Sequence, residues 1–224
     1  METVLNSDFP FAMDLSYLLK QVKIDDDPAD DDCRTFTALF QEAQRIARPK
    51  YAYAVAAVED KLEDAVVIEG RLIRSSLMRK NLDQTHRIIP YLASCGSEID
   101  QWSRQFTDIL ENYWVDEIKN HVLQQSIRSL SQTVKKRFFP KQDMSQMSPG
   151  SLPEWPISGQ TVLFDLFGDT AQAVGITLTE SLLMIPSKSI SGFFFSSKIH
   201  FENCRLCPRP NCPGRRVPHQ PQKS

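Results

Sequence analysis

The stretch Ile176-Thr-Leu-Thr-Glu180-Ser-Leu-Leu-Met-Ile185-Pro-Ser-Lys-Ser189-Ile-Ser-Gly192-Phe-Phe-Phe195 decides the fold. It reads as two strands, Ile176 to Ile185 and Ser189 to Phe195, separated by Pro186-Ser187-Lys188. Working back from it, Ser158 is placed to cap a short helix whose Leu163, Phe164 and Phe167 face inward and which Gly168 ends. Residues 138 to 159 hold Pro140, Pro149, Gly150, Pro153, Pro156 and Gly159 and read as a structured loop, because proline stiffens the backbone.

Upstream of that loop a helical stripe runs from Ile99 through Trp102, Tyr113, Trp114 and Ile118 to Val134, opened by Ser97 with Asp100 three residues on. One helix over that span would be about 60 Å long at 1.5 Å per residue, so a bend or break is expected. Further back lie a helix over Ser76 to Leu82 and a strand pair, Tyr51 to Val58 and Val66 to Ile68, the latter ending at Gly70. A first helix carries Phe36, Leu39, Phe40, Ala43, Ile46 and Ala47 and stops at Pro49. Helix, strand pair, long helix, loop, helix, strand pair argues an α+β domain, a mainly antiparallel sheet packed against long helices. The expected division is an N-terminal extension with an acidic linker over 1–33, the α+β domain over 34–200 and a Cys/Pro-rich basic tail over 201–224.

With 224 residues and 41% hydrophobic composition, the chain can bury one sizeable core. No stretch approaches the roughly 18 to 20 apolar residues of a spanning helix, and the start lacks the basic end and apolar run of a secretory signal. A cytoplasmic protein is expected, with no membrane partner. The net charge of −2 hides opposite ends. Asp25-Asp26-Asp27-Pro-Ala-Asp30-Asp31-Asp32 reads as a solvated linker, since it lacks the Gly and terminal Glu of a calcium loop. The basic tail lacks the aromatic and glycine pattern of the common RNA modules, so nucleic acid is not an expected partner.

The familiar catalytic signatures are absent: no G-x-G-x-x-G, P-loop, G-x-S-x-G or H-E-x-x-H. The sharpest local signal is Cys204-Arg-Leu-Cys207-Pro-Arg-Pro-Asn-Cys212. Two thiolates separated by two residues reach one tetrahedral ion, and a third five residues later joins them, which suits zinc or an iron–sulfur cluster. His200, Cys95 and Cys33 are the candidates for a fourth ligand. Redox-active thiols and an inert tail clip are the competing readings of the same spacing.

Gly175 to Ser196, with its Leu178-Thr-Glu-Ser181 and Ser189-Ile-Ser-Gly192 elements, resembles the C-terminal activation domain of vitamin B12-dependent methionine synthase, and the whole chain resembles more closely the short stand-alone proteins related to that domain. Ser75 to Leu82, Ala93-Ser94-Cys95-Gly96 and Ser148-Pro149-Gly150 ahead of Phe164-Asp-Leu-Phe167-Gly168 extend the resemblance over roughly 45–200. The resemblance implies an accessory protein of corrinoid-dependent methyl transfer. Such a domain binds S-adenosylmethionine and presents its methyl group to a cobalamin on a partner, while an external reductase or flavodoxin-type donor supplies the electron. Positioning, rather than a side-chain acid or base, is what such a domain contributes. Carried over residue by residue, the implied ligand contacts are Gln146, Ser148, Gly150, Ser151, Glu180 and Phe194. Gln146 stands where the family has a forked cation, and Ser151 where it has a tyrosine. The alternative is a non-catalytic metal- or Fe–S-binding interaction or electron-transfer protein working through Cys204, Cys207 and Cys212.

Overall fold

The computed structural model describes residues 1–196, 201–210, 215 and 217–220. In chain order the elements begin with β1 (Thr3–Asn6), α1 (Leu15–Val22), α2 (Asp31–Ile46), β2 (Lys50–Ala54), β3 (Ala56–Lys61), β4 (Ala65–Ile68) and β5 (Arg71–Arg74). Next come α3 (Ser76–Asn81), β6 (Arg87–Ser94), α4 (Ser97–Ser103), α5 (Ile109–Phe138) and β7 (Met144–Met147). The C-terminal third holds α6 (Gly159–Phe167), α7 (Thr170–Val174), β8 (Thr177–Leu178), β9 (Met184–Ile185), β10 (Ser189–Ser196) and α8 (Asn203–Leu206).

The domain is α+β, as expected: eight strands form one antiparallel sheet with long helices on one face. Its axis is β6, which pairs with β10 on one side and with β2 and β3 on the other. Sequence patterning left β6 unassigned because Pro90 sits in its middle, and a proline has no N–H for a ladder. The register explains the tolerance: β2 leaves β6 at Tyr53↔Tyr91 and β3 takes over at Ala56↔Ile88, so Pro90 falls where one ladder hands over to the next. The strand expected over Tyr51 to Val58 is therefore two strands, and Val55 between them is exposed.

The long helical stripe does break. The chain leaves the helical path after α4, where the Phe106 ring packs edge-on against Trp102, and Asp108 restarts it by accepting hydrogen bonds from the N–H groups of Leu110 and Glu111. The second piece, α5, has 30 residues and so runs about 45 Å. Its inward face begins at Trp114; Tyr113, counted in the stripe, is exposed, as are Ile109 and Leu110 ahead of it. Trp114, Val115, Ile118, Val122, Leu130 and Val134 pack on Tyr51, Tyr53, Tyr91 and Phe194 of the sheet.

Residues ahead of position 34 join this packing. β1 pairs with β2 from Thr3↔Ala54 to Asn6↔Tyr51, and Leu18, Leu19 and Val22 of α1 belong to the helix-side core. Part of the acidic run is structural: Asp30 caps α2 by accepting from Cys33 N–H, and Asp31 and Asp32 occupy its first turn, where the helix dipole favours negative charge.

The opposite face of the sheet carries a second core, in which Val58, Val66, Ile68, Ile88, Met147, Phe193 and Phe195 meet Met78 and Leu82 of the α3 region and Trp155 and Leu163 near α6. A third, smaller cluster packs α7 on Ala52, Ala54 and Leu92. A strand expectation and a loop expectation fail here. Ile176 to Ile185 is a small hairpin, β8 paired with β9 across a turn at 179–183, because the polar Thr-Glu-Ser centre folds over itself: Thr179 accepts from Leu183 N–H through its hydroxyl and bonds it again through the backbone. The proline-rich loop also contains a strand: β7 pairs with β10 from Phe193↔Met147 to Ser196↔Met144.

Candidate functional site

Strand periodicity gathers the candidate residues. On β10, Gly192 and Phe194 share one face and Phe193 and Phe195 the other. Phe194 lies opposite Gln146 and opposite Ile89, and Gly192 opposite Tyr91. Gln146, Ser148, Gly192, Phe194 and Tyr91 therefore meet on the helix-facing side, while Met147, Phe193 and Phe195 pack into the second core.

Tyr91 is the centre of this group. Its ring stacks on Phe194 with centroids 4.5 Å apart and planes 25° from parallel. Its hydroxyl accepts a hydrogen bond from the Gln146 side-chain amide and lies 3.3 Å from Ser148 Oγ. Gly192 makes room for it: a Cβ there would sit 2.4 Å from the Met147 carbonyl oxygen, 2.7 Å from the Tyr91 hydroxyl and 2.8 Å from Ser148 Oγ. The Phe194 ring is buried against Tyr91, so it supports this corner from within.

The loop after β7 leaves the sheet through Pro149 into Gly150, whose φ of +74° is the left-handed conformation that favours glycine. Gly150 N–H donates to the Trp155 carbonyl at 2.8 Å and Ser151 N–H to the Ser148 carbonyl at 3.4 Å, closing a compact turn. Ser148 and Ser151 are half-buried and Gly150 is exposed, so this turn is the part of the group that meets solvent. Glu180 is exposed at the tip of the β8–β9 hairpin, and among the described residues no hydrogen bond joins it to the others. An indirect tie exists: buried Gln160 on α6 donates to the Leu182 carbonyl at 2.7 Å and accepts from Ser191 Oγ at 3.1 Å, next to Gly192. Neither Tyr91 nor Gln160 belongs to a motif, and neutral polar residues carry no signal of their own. Only strand register could have found Tyr91.

The cysteine tail packs on the other face. Phe201, Leu206 and Cys207 rest against the second core, Phe201 N–H donates to Ser145 Oγ at 2.8 Å, and Glu202 bridges to Gln146 in parallel register. Arg215 gathers the loop, donating to the carbonyls of Cys204 at 2.8 Å and Cys207 at 3.2 Å. Cys212 and His200 lie outside the described residues, and among the described residues no three His, Cys, Asp or Glu side chains assemble a metal site. Cys33 and Cys95, candidates for a fourth ligand, lie in the helix-side core across the sheet from Cys207, which removes them from that role. Burial pushes the Cys95 thiol up to about 12, which keeps it protonated. A separate cavity of about 480 Å³, lined by Arg71, Phe164, Asp165 and Gln172 among others, contains none of the ligand contacts or cysteines expected from sequence.

An S-adenosyl ligand would carry a nucleoside and an amino-acid carboxylate. The part of the group that meets solvent is the Ser148 to Ser151 turn, where the Ile157 side chain lies against Gly150. Among the described residues gathered here, Tyr91, Gln146, Ser148, Gly192 and Phe194 are all uncharged, and Gln146 stands where the family has a cation.

Residues 147–201 match the family model of the vitamin B12 dependent methionine synthase activation domain. That segment holds Ser148, Gly150, Ser151, Glu180, Gly192 and Phe194. Among solved structures, the MetH reactivation domain bound to AdoHcy superposes with a TM-score of 0.62 at 15% identity, covering 90% of this chain and 80% of that one. No curated protein matches the chain. The chain therefore carries the fold of the methionine synthase reactivation domain and, over its last sheet strands, resembles that family's activation domain in sequence.

Proposed function

We propose that the protein is an accessory factor of corrinoid-dependent methyl transfer, docking on a cobalamin-bearing protein and holding an S-adenosyl ligand at the Ser148 to Ser151 turn. The observation that carries this reading is a coincidence of place: the segment matching the activation-domain model supplies Ser148, Gly192 and Phe194 to the corner that Tyr91 and Gln146 complete. The chain's own contribution is positional. A turn fixed by Pro149, Gly150 and the Trp155 carbonyl presents main-chain groups in one geometry, and β10 anchors it to the centre of the sheet. The partner is a corrinoid protein or methyltransferase, with a flavodoxin-type reductase as electron donor, and the setting is the cytoplasm. Among the described residues no helix is long and apolar enough to cross a membrane.

The test mixes the purified chain with a cobalamin-loaded corrinoid protein, S-adenosylmethionine and a chemical reductant. Co-elution and a faster change of the cobalt spectrum than without the chain are expected. An identical spectrum at every chain concentration, with no complex formed, sinks the reading.

A second reading gives the tail its own role, with Cys204, Cys207 and Cys212 holding zinc or an iron–sulfur cluster. Arg215 favours it, because its hydrogen bonds to the Cys204 and Cys207 carbonyls close the loop that contains all three. Protein purified without oxygen should then carry about one metal equivalent per chain for a single zinc, or more with visible absorbance for a cluster. Colourless, metal-free protein removes this reading.

A further inference from the structure

The cavity of about 480 Å³ away from the Tyr91 corner lies between β5, the C-terminal end of α6, α7 and β8, and its size is ordinary for a small-molecule pocket. Phe164, Ala171 and Ile176, members of the third core cluster, give it an apolar wall that Leu178 continues. Gly168, between α6 and α7, keeps the space clear: apart from its chain neighbours, no atom lies within 4 Å of where a Cβ would stand. Two opposite charges border this wall. Half-buried Arg71 donates from Nη1 to the Glu69 carbonyl at 3.0 Å and from Nη2 to the Asp165 carbonyl at 3.3 Å. The second bond satisfies a carbonyl in the last turn of α6 and holds the guanidinium beside Asp165, while most of its N–H donors remain free. Among the described residues Arg71 pairs with no carboxylate, and the exposed Asp165 carboxylate pairs with no cation.

We infer that this cavity binds a free α-amino acid with an apolar side chain, Arg71 taking its carboxylate, Asp165 its ammonium group, and the wall of Phe164, Ile176 and Leu178 its side chain. The site is separate from the Ser148 turn and independent of how that turn is read. An α-amino acid carries both charges on one carbon, which suits a cation fastened to the main chain of the residue that supplies the anion. A guanidinium fixed in this way meets a carboxylate with its fork already oriented. The pair also discriminates by repulsion: a plain carboxylic acid brings its charge next to Asp165, and a plain amine next to Arg71. Only a ligand with both charges leaves neither side chain facing a like or missing partner.

An amide NMR titration of the full chain tests this with three probes: L-leucine, 4-methylpentanoate, which lacks the amino group, and 3-methylbutylamine, which lacks the carboxylate. Leucine should move the signals of Gly168, Gln172 and Thr177, and each truncated probe should bind at least about tenfold more weakly. Signals that stay still at tens of millimolar leucine, or that move only elsewhere in the chain, overturn the site. A truncated probe that binds as well as leucine overturns the amino-acid assignment, because one of the two charges then has no role. Arg71→Gln should weaken leucine by about tenfold or more. Since Arg71 also closes the end of α6, a second variant separates binding from folding. Gln172 is an exposed helix residue on the cavity wall, so Gln172→Trp should keep the thermal midpoint while its indole fills the space and leucine binding is lost. Undiminished leucine affinity in either variant overturns the proposal.

Discussion

The corner around Tyr91 and the tail around Arg215 hold candidate residues in opposite ways. At the corner, side chains are fixed by strand register: β6, β10 and β7 are hydrogen-bonded neighbours, so Tyr91, Gly192 and Gln146 have no choice about meeting. Among the described residues of the tail, a four-residue helix, the Arg215 guanidinium on the carbonyls of Cys204 and Cys207, and the Gln220 N–H on the Arg205 carbonyl do the arranging. A ladder distributes its constraint over many bonds, whereas this clasp rests chiefly on one side chain. Damage at the corner is therefore a stability event, and damage in the tail a local one.

The largest expected effect is at Phe194. Its ring is 1% exposed and stacked on Tyr91, so Phe194→Ala should cost about 3–5 kcal/mol in chemical denaturation, with a lower midpoint and an unchanged slope. A cost under 1 kcal/mol would mean that the corner tolerates a cavity and that the contrast drawn here is false. Gly192→Ala comes next. Its methyl group meets the Met147 carbonyl at 2.4 Å, and that oxygen belongs to a paired strand and cannot swing aside. A loss of about 1–3 kcal/mol is expected, as for other overpacked sites. Because the backbone carbonyl is the closer obstacle, adding Tyr91→Phe should not rescue it.

Arg215→Met addresses the other side. Global stability should move by less than about 0.5 kcal/mol, as for a surface substitution, while limited proteolysis after residue 204 speeds up severalfold. Thiol labelling sharpens the same contrast. Half-buried Cys207 should react in the folded protein, while Cys95, fully buried and with its thiol pushed up to about 12, should react only on unfolding. Equal rates for the two would erase the difference in burial that the packing requires.

Legibility followed the same division. The three phenylalanines of β10, a break somewhere in the long helical stripe, and the α3 segment could be read because apolar spacing and helix length are local signals, whereas the cap at Asp108 that restarts the helix was not singled out. β6 was hidden by Pro90, whose tolerance depends on two other strands exchanging places beside it. β7 was hidden because Met-Ser-Gln-Met takes its strand identity from pairing with β10 and not from its own propensity. The hairpin at Ile176 to Ile185 reads as one strand in the sequence because its apolar ends mask a polar turn. For the site, the resemblance marked Gln146, Ser148, Gly150 and Ser151. What register contributes is Tyr91, the partner that no spacing within one segment reveals, and it also turns the Phe194 ring inward.

The smallest expected effect isolates the helical layer from both regions. His121 on α5 is 7% exposed, its ring 5.4 Å from that of Tyr17 and its Nε2 3.2 Å from the Gln125 amide. Burial, with Arg128 adding to it, holds its pKa below the usual value of 6.5, against a small opposing pull from Asp14. The sign follows from proton counting. Below pH 6.5 the unfolded chain takes up a proton at this site before the folded one does, so acid favours unfolding. Stability is full above that pH and drains as the pH falls through the interval down to the lowered folded-state value. His121→Gln should flatten this part of the stability profile while leaving the denaturation slope unchanged, and affinity at the Tyr91 corner should not follow it. If ligand affinity and stability fell together across that interval in the unsubstituted chain and both flattened in the variant, the helix layer and the corner would be one cooperative unit, and the division between distributed and single-point constraint would have to be redrawn to include α5.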